Sequence, residues 1–112
     1  MTLNYGKWSL SGSHLMLVIA CNYNADISIA DGTTLFRIDD IPNWVVQKVY
    51  PILGNLIIYQ KASLIHEDWT RGEKEFYLAK VYDVLRIYNN GAITDSKAGM
   101  FRLRFDLLID TD

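Results

Sequence analysis

From Phe101 to Leu107 the chain alternates without a fault: Phe101, Leu103, Phe105 and Leu107 are apolar, and Arg102, Arg104 and Asp106 stand between them. Successive side chains of a strand point to opposite faces, so this pattern describes a half-buried β-strand and fits no helix. A strand of that kind is stable only within a sheet whose apolar face is covered. The run therefore commits the last segment of the sequence to a core strand of a β-rich fold. It also sets two guanidiniums and a carboxylate along one exposed face, a natural place for polar recognition.

A sequence of 112 residues has room for a single core and, at that size, buries about two-thirds of its unfolded surface. Half of its residues are apolar and 21% are charged, an ordinary globular balance rather than that of a disordered chain. The net charge is −2, and without a basic block the electrostatic footprint of a nucleic-acid binder is missing. Cys21 is the only cysteine, so no internal disulfide can form. It closes the apolar run Leu15–Cys21, far shorter than the roughly 20 residues a membrane helix needs. No charged lead and small-residue cleavage site accompany it, so a buried strand is expected and membrane insertion is not.

The remaining segments also read as strands. Asp26–Ala30 alternates, and Asp31-Gly32 leads into Thr33–Ile38, which predicts a hairpin. Pro42 breaks it and holds Ile41 extended. Trp44–Tyr50 fits either a short strand or a short helix, and Pro51 ends it in both cases. After a Gly54-Asn55 turn, Leu56–Gln60 and then Ala62–Trp69 read as separate strands, with Thr70–Lys74 a polar loop. Glu75–Tyr88 matches the helical period only in part. Leu85–Tyr88 alternates and runs into Asn89-Asn90-Gly91, which predicts a second hairpin with residues 92–94 returning. Short strands at roughly ten-residue spacing with turn residues between them indicate an all-β sandwich or barrel. Residues 1–13, polar and glycine-interrupted, read as a linker or a first edge strand.

Signatures of catalysis are missing: there is no Gly-rich phosphate loop, His-Glu-x-x-His, Gly-x-Ser-x-Gly or Cys-x-x-Cys. His14 and His66 are the only histidines, too few for a metal site without further ligands. Neighbours on a strand point apart, so neither Asp39-Asp40 nor Glu67-Asp68 is a ready glycosidase pair. The densest polar group is His66-Glu67-Asp68-Trp69. In an extended segment His66 and Asp68 share a face, where with an arginine fork they could hold hydroxyls or a phosphate. Alternation points Trp69 away from that pair. Against this stands the plainer reading of a solvated loop with Trp69 tucked into the core. Trp8 and Trp44 read as packing or interface residues, and Arg102 and Arg104 as charges that guard a strand against edge pairing.

Several segments together resemble the C-terminal head domain of receptor-binding proteins from lactococcal siphophages. They are Asp31–Ile38, Ile41–Trp44, Lys48–Ile52, Leu85–Thr94 and Phe101–Asp110, about half of the sequence. The resemblance implies an all-β, Greek-key β-barrel or sandwich head (residues 14–112) preceded by the end of a neck (residues 1–13). It implies a homotrimer in the virion, at the tip of the tail baseplate, joined to other baseplate proteins through neck and shoulder domains. It further implies a non-catalytic module that attaches to host cell-wall polysaccharide, with no cofactor or metal. The family's histidine, aspartate, arginine and tryptophan correspond to His66, Asp68, Arg102 (with Arg104 as the alternative) and Trp69, with Tyr77 or Tyr88 as a substitute stacking face if Trp69 is buried. Trp44, Val45, Val49 and Ile52 are expected around the threefold axis. The rival expectation is a structural virion domain that binds no saccharide.

Overall fold

The alternation of the last segment is matched by residues 14–23, and the two runs pair side by side in a computed structural model of the chain, which describes residues 1–49, 57–81 and 84–110. The elements are β1 (Thr2–Ser11), β2 (His14–Tyr23), β3 (Ile27–Ile29), β4 (Thr34–Ile38), α1 (Asn43–Gln47), β5 (Ile57–His66), β6 (Arg71–Val81), β7 (Val84–Asn90), β8 (Ile93–Asp95) and β9 (Gly99–Leu108). The fold is all-β with one short helix. Seven strands form an antiparallel sheet in the order β1-β2-β9-β5-β6-β7-β4, and β3 and β8 form a second, two-stranded sheet.

The large sheet curls until its two edge strands face one another. The indole N–H of Trp8 on β1 donates to Asp40, just beyond β4, at 3.1 Å. Between these edges lies an apolar cavity of about 190 Å³ lined by Leu3, Trp8, Leu17, Ile19, Phe36 and Ile38 among others. The concave side is the core. Leu15, Leu17, Ile19 and Cys21 of β2 meet Phe101, Leu103, Phe105 and Leu107 of β9 there, all at most 5% exposed. Phe76 stacks on Phe101 with ring centroids 4.6 Å apart. Burial pushes the Cys21 thiol up to about 12, so this cysteine behaves as a small apolar residue.

Neither predicted hairpin forms. β3 pairs with β8 and β4 with β7, with a one-residue register shift between Thr34 and Phe36, so residues 27–38 and 85–95 make a ribbon that bends at a corner. Gly32 (φ +72°) and Gly91 (φ +101°) occupy that corner, in backbone conformations that glycine adopts without strain. The amide of Asn89, fully buried, ties the two turns together. Its Nδ2 donates to the carbonyls of Ala30 and Gly91, and its Oδ1 accepts from Thr33 N–H. Gly91 N–H in turn donates to Asp31. The two glycine turns thus bend a paired ribbon instead of reversing a single strand.

Other elements also differ from expectation. Residues 70–74 are mostly strand rather than loop, and the strand expected over 62–69 is part of β5, which stops at His66. Residues 2–11 form the edge strand β1. The ambiguous segment after Pro42 is helical. Val45 and Val46 of α1, with Val49 and Ile109, cap the core at one end of the sheet, and all four are at most 5% exposed. Val45 and Val49 are therefore enclosed by their own chain instead of lying on a subunit surface, whereas Trp44 is exposed. Pro51, Ile52 and the Gly54-Asn55 turn lie outside the described residues.

Candidate functional site: the loop that displays Trp69

At the opposite end of the sheet, β5 and β6 are joined by Glu67, Asp68, Trp69 and Thr70. His66 N–H donates to Thr70 O and Trp69 N–H to His66 O, both at 2.9 Å. This is the pattern of a three-residue hairpin loop whose last residue is left-handed, a position usually given to glycine. Here it is Trp69, with φ +67°. For a bulky side chain that conformation is a strained outlier. Burial does not compensate for it, because Trp69 is 83% exposed. The tryptophan therefore points neither into the core nor along a strand face; it stands in solvent on a turn.

A polar network holds the loop in place. On β9, Gly99 is the register partner of both Tyr23 on β2 and His66 on β5. A Cβ at Gly99 would stand 2.5 Å from the Tyr23 hydroxyl, so the missing side chain lets the flanking rings lean over this position. Both reach Asp95 of β8. Tyr23 Oη donates to Asp95 Oδ2 at 2.6 Å, and His66 Nε2 lies 2.5 Å from the same oxygen. Asp95 Oδ1 accepts the backbone N–H of Lys97 at 3.0 Å. The Tyr23 hydroxyl, the Lys97 N–H and His66 hold the Asp95 carboxyl down at about 2. Burial and the same carboxylate push the Tyr23 phenol well above its usual range.

His66 is satisfied on both sides. Its Nδ1 lies 3.0 Å from the Thr70 carbonyl oxygen and its Nε2 faces the Asp95 carboxylate, so acceptors flank both ring nitrogens. The Thr70 hydroxyl donates to Asp68 Oδ1 at 2.6 Å and turns its lone pairs toward Nδ1. Only the imidazolium, with two N–H donors, satisfies this arrangement. The Asp95 hydrogen bond, opposed by partial desolvation, accordingly raises the His66 pKa. Asp68 also accepts Thr70 N–H at 3.1 Å and pairs with Lys97 Nζ at 2.7 Å. Those partners, Lys97 first, hold its carboxyl far below the ordinary range.

The expected site residues are thus divided. His66, Asp68 and Trp69 share one loop, but the His66 side chain is 12% exposed and engaged at both nitrogens, and it supports the loop instead of facing a ligand. Arg102 is elsewhere. His66 follows the parity of Ala62 and Leu64 on the core side of the sheet, whereas Arg102 is outward-facing, opposite Ala20 in register. It borders a shallow depression of about 330 Å³ with Ala20, Ser63, Ile65 and Met100. Within one chain the arginine does not join the histidine. Tyr77 and Tyr88 stack on each other, centroids 5.0 Å apart, so each covers a face of the other. Tyr23, Asp95 and Lys97 are the members that sequence reasoning missed. Their one local signal is a glycine at an inward position of an otherwise apolar alternation, Gly99 before Phe101.

Among the described residues no group of three His, Cys, Asp or Glu side chains could hold a metal ion. What remains open to a ligand is the indole of Trp69, beside Asp68 and Lys97, each 45% exposed. An aromatic face next to a paired carboxylate and ammonium can stack on an apolar ring surface while accepting and donating hydrogen bonds. No family model, no curated protein and no solved structure matches this chain.

Proposed function

We propose that the chain is a non-catalytic adhesion module that binds saccharides of a host cell wall, as in the phage receptor-binding heads it resembles. In this reading the curled sheet is a Greek-key barrel head, trimeric, carried in the virion at the tail tip and joined to baseplate proteins through neck and shoulder domains. The observation that carries it is Trp69, which is 83% exposed in a strained conformation on a loop pinned by the Asp68–Thr70–His66–Asp95 network. Strain at an exposed aromatic points to recognition, since packing gains nothing from it. Sugar rings stack on the indole, and Asp68 and Lys97 meet their hydroxyls. Three such heads on one particle reach useful avidity from weak single sites.

One observation favours the structural virion domain instead: His66, expected in the binding pocket, is nearly buried. Binding of the purified protein and of Trp69→Ala to intact lactococcal cells, and to cells stripped of surface polysaccharide, decides between them. Adhesion predicts saturable binding that disappears on stripping and weakens about tenfold in the variant. Equal binding by both proteins overturns the role of Trp69, and no binding to any strain supports the structural domain.

A further inference from the structure

The outer wall at the far edge of the sheet carries an unusual pair. Arg37 of β4 and Arg86 of β7 are direct register partners on adjacent antiparallel strands. Opposed side chains on one face of such a pair start with Cβ atoms about 5 Å apart, and like charges in that position repel. Tyr88 and Ala79 flank Arg86, and neither offers a negative charge. Arg37 donates its Nε to Asp39 Oδ1 at 2.6 Å. Arg86 has no such relief: its Nε is buried and, among the described residues, has no hydrogen-bond partner. A buried guanidinium donor left unmatched, on a side chain whose register partner is a second arginine, is costly on two counts, desolvation and repulsion.

We propose that Arg37 and Arg86 form a binding site for an oxyanion, a phosphate or carboxylate group of a ligand that approaches the β4 edge. When the Arg86 side chain turns outward, an oxyanion accepts its otherwise buried and unpaired Nε–H and bridges to the terminal nitrogens of Arg37, which neutralises the cross-strand repulsion. Guanidinium forks suit this task because they offer parallel N–H donors to two oxygens at once. Asp39 is the competing anion; it is 63% exposed and engages Arg37 through Nε, so a ligand can share Arg37 with it. The site is on a different strand pair from Trp69 and is independent of the adhesion reading.

Inorganic phosphate and acetate, each titrated into the intact protein at constant ionic strength with chloride as the control, test it through the arginine Nε–Hε signals of the ¹⁵N–¹H spectrum. The proposal expects a saturable shift of the Arg86 Nε–Hε signal with at least one of them and none with chloride. A response to phosphate alone assigns a phosphoryl ligand, and a response to acetate alone a carboxylate. Arg37→Gln, an exposed edge-strand change that leaves the core intact, should weaken the response about tenfold, the worth of one charge-assisted contact. Arg86→Lys keeps the charge but removes the Nε donor, and it should weaken the response read at the Arg37 Nε–Hε signal to the same extent. A shift equal to that with chloride, or full affinity in Arg37→Gln, overturns the site.

Discussion

At one end of the curled sheet Val45, Val46, Val49 and Ile109 close the core with aliphatic side chains that are almost wholly buried. At the other end Tyr23, His66, Asp95, Thr70, Asp68 and Lys97 close it with hydrogen bonds and ion pairs. The two closures do different work. Burial of apolar surface is non-directional, so the first end supplies stability but fixes no group relative to solvent. A polar network acts only at set distances and angles, so the second end adds less stability and holds a loop in one shape. The strained, exposed tryptophan is found where the closure is directional.

This contrast can be broken at the apolar end first. Val45→Asp sets an unpaired carboxylate where exposure is 0%, and it should cost more than about 4 kcal/mol, measured by urea unfolding. A fully folded variant would mean that the end is looser than its burial implies. The next largest effect falls on the polar end. Gly99→Ala drives a methyl group into the Tyr23 ring, with an expected loss of about 1–3 kcal/mol and release of the Tyr23–Asp95 hydrogen bond. Trp69→Gly should change sign. Glycine relieves the left-handed strain, so the unfolding free energy rises by about 1 kcal/mol while cell binding weakens about tenfold, as in Trp69→Ala. A destabilised Trp69→Gly would show that the indole packs on the loop and is not merely displayed.

The finest test is pH. His66 has a folded pKa raised by Asp95, so its contribution is complete below the unfolded value of about 6.5. It is lost as pH rises through the higher folded value. Asp95 acts in the opposite sense: its contribution is present above the unfolded carboxylate range and fades as pH falls toward about 2. Melting temperatures should therefore decline from pH 6 upward in the parent protein, and His66→Gln should flatten that slope. An unchanged slope in the variant would place the titration on another group.

Much of the fold is legible in the sequence because alternation is local. β2 and β9 carry their burial pattern in their own residues: from Phe101 to Leu107 the apolar side chains are the buried ones, and only Met100 and Leu108 at the ends of β9 are apolar and exposed. β6 is less legible at its start: Arg71, Gly72, Glu73 and Lys74 hold no apolar residue, since the strand there pairs through its backbone with both faces near solvent. The glycines mark turns in the sequence but not what the turns connect, because Asp31-Gly32 and Asn90-Gly91 need each other, with Asn89 between them, and lie about sixty residues apart. The site was half legible for the same reason. His66, Asp68 and Trp69 are neighbours in sequence, whereas Tyr23 and Asp95 reach His66 only through β9 and the second sheet. Arg102 shows the converse, a residue of suitable chemistry placed by parity on the wrong side of the sheet.

The position of β9 between β2 and β5 has a consequence for how the protein is made. A ribosome delivers β1 and β2 first and β9 last, so the N-terminal hairpin and the β5–β6 hairpin emerge without the strand that joins them. Until Gly99–Leu108 leave the exit tunnel, the apolar sides of β2 and β5 have no common core, and both present open edges to solvent. Pairing across such long sequence separations is slow and exposes the nascent chain to aggregation. Folding of this chain is therefore a late, concerted event, and a product terminated before Gly99 should be a client of chaperones rather than a smaller version of the same sheet.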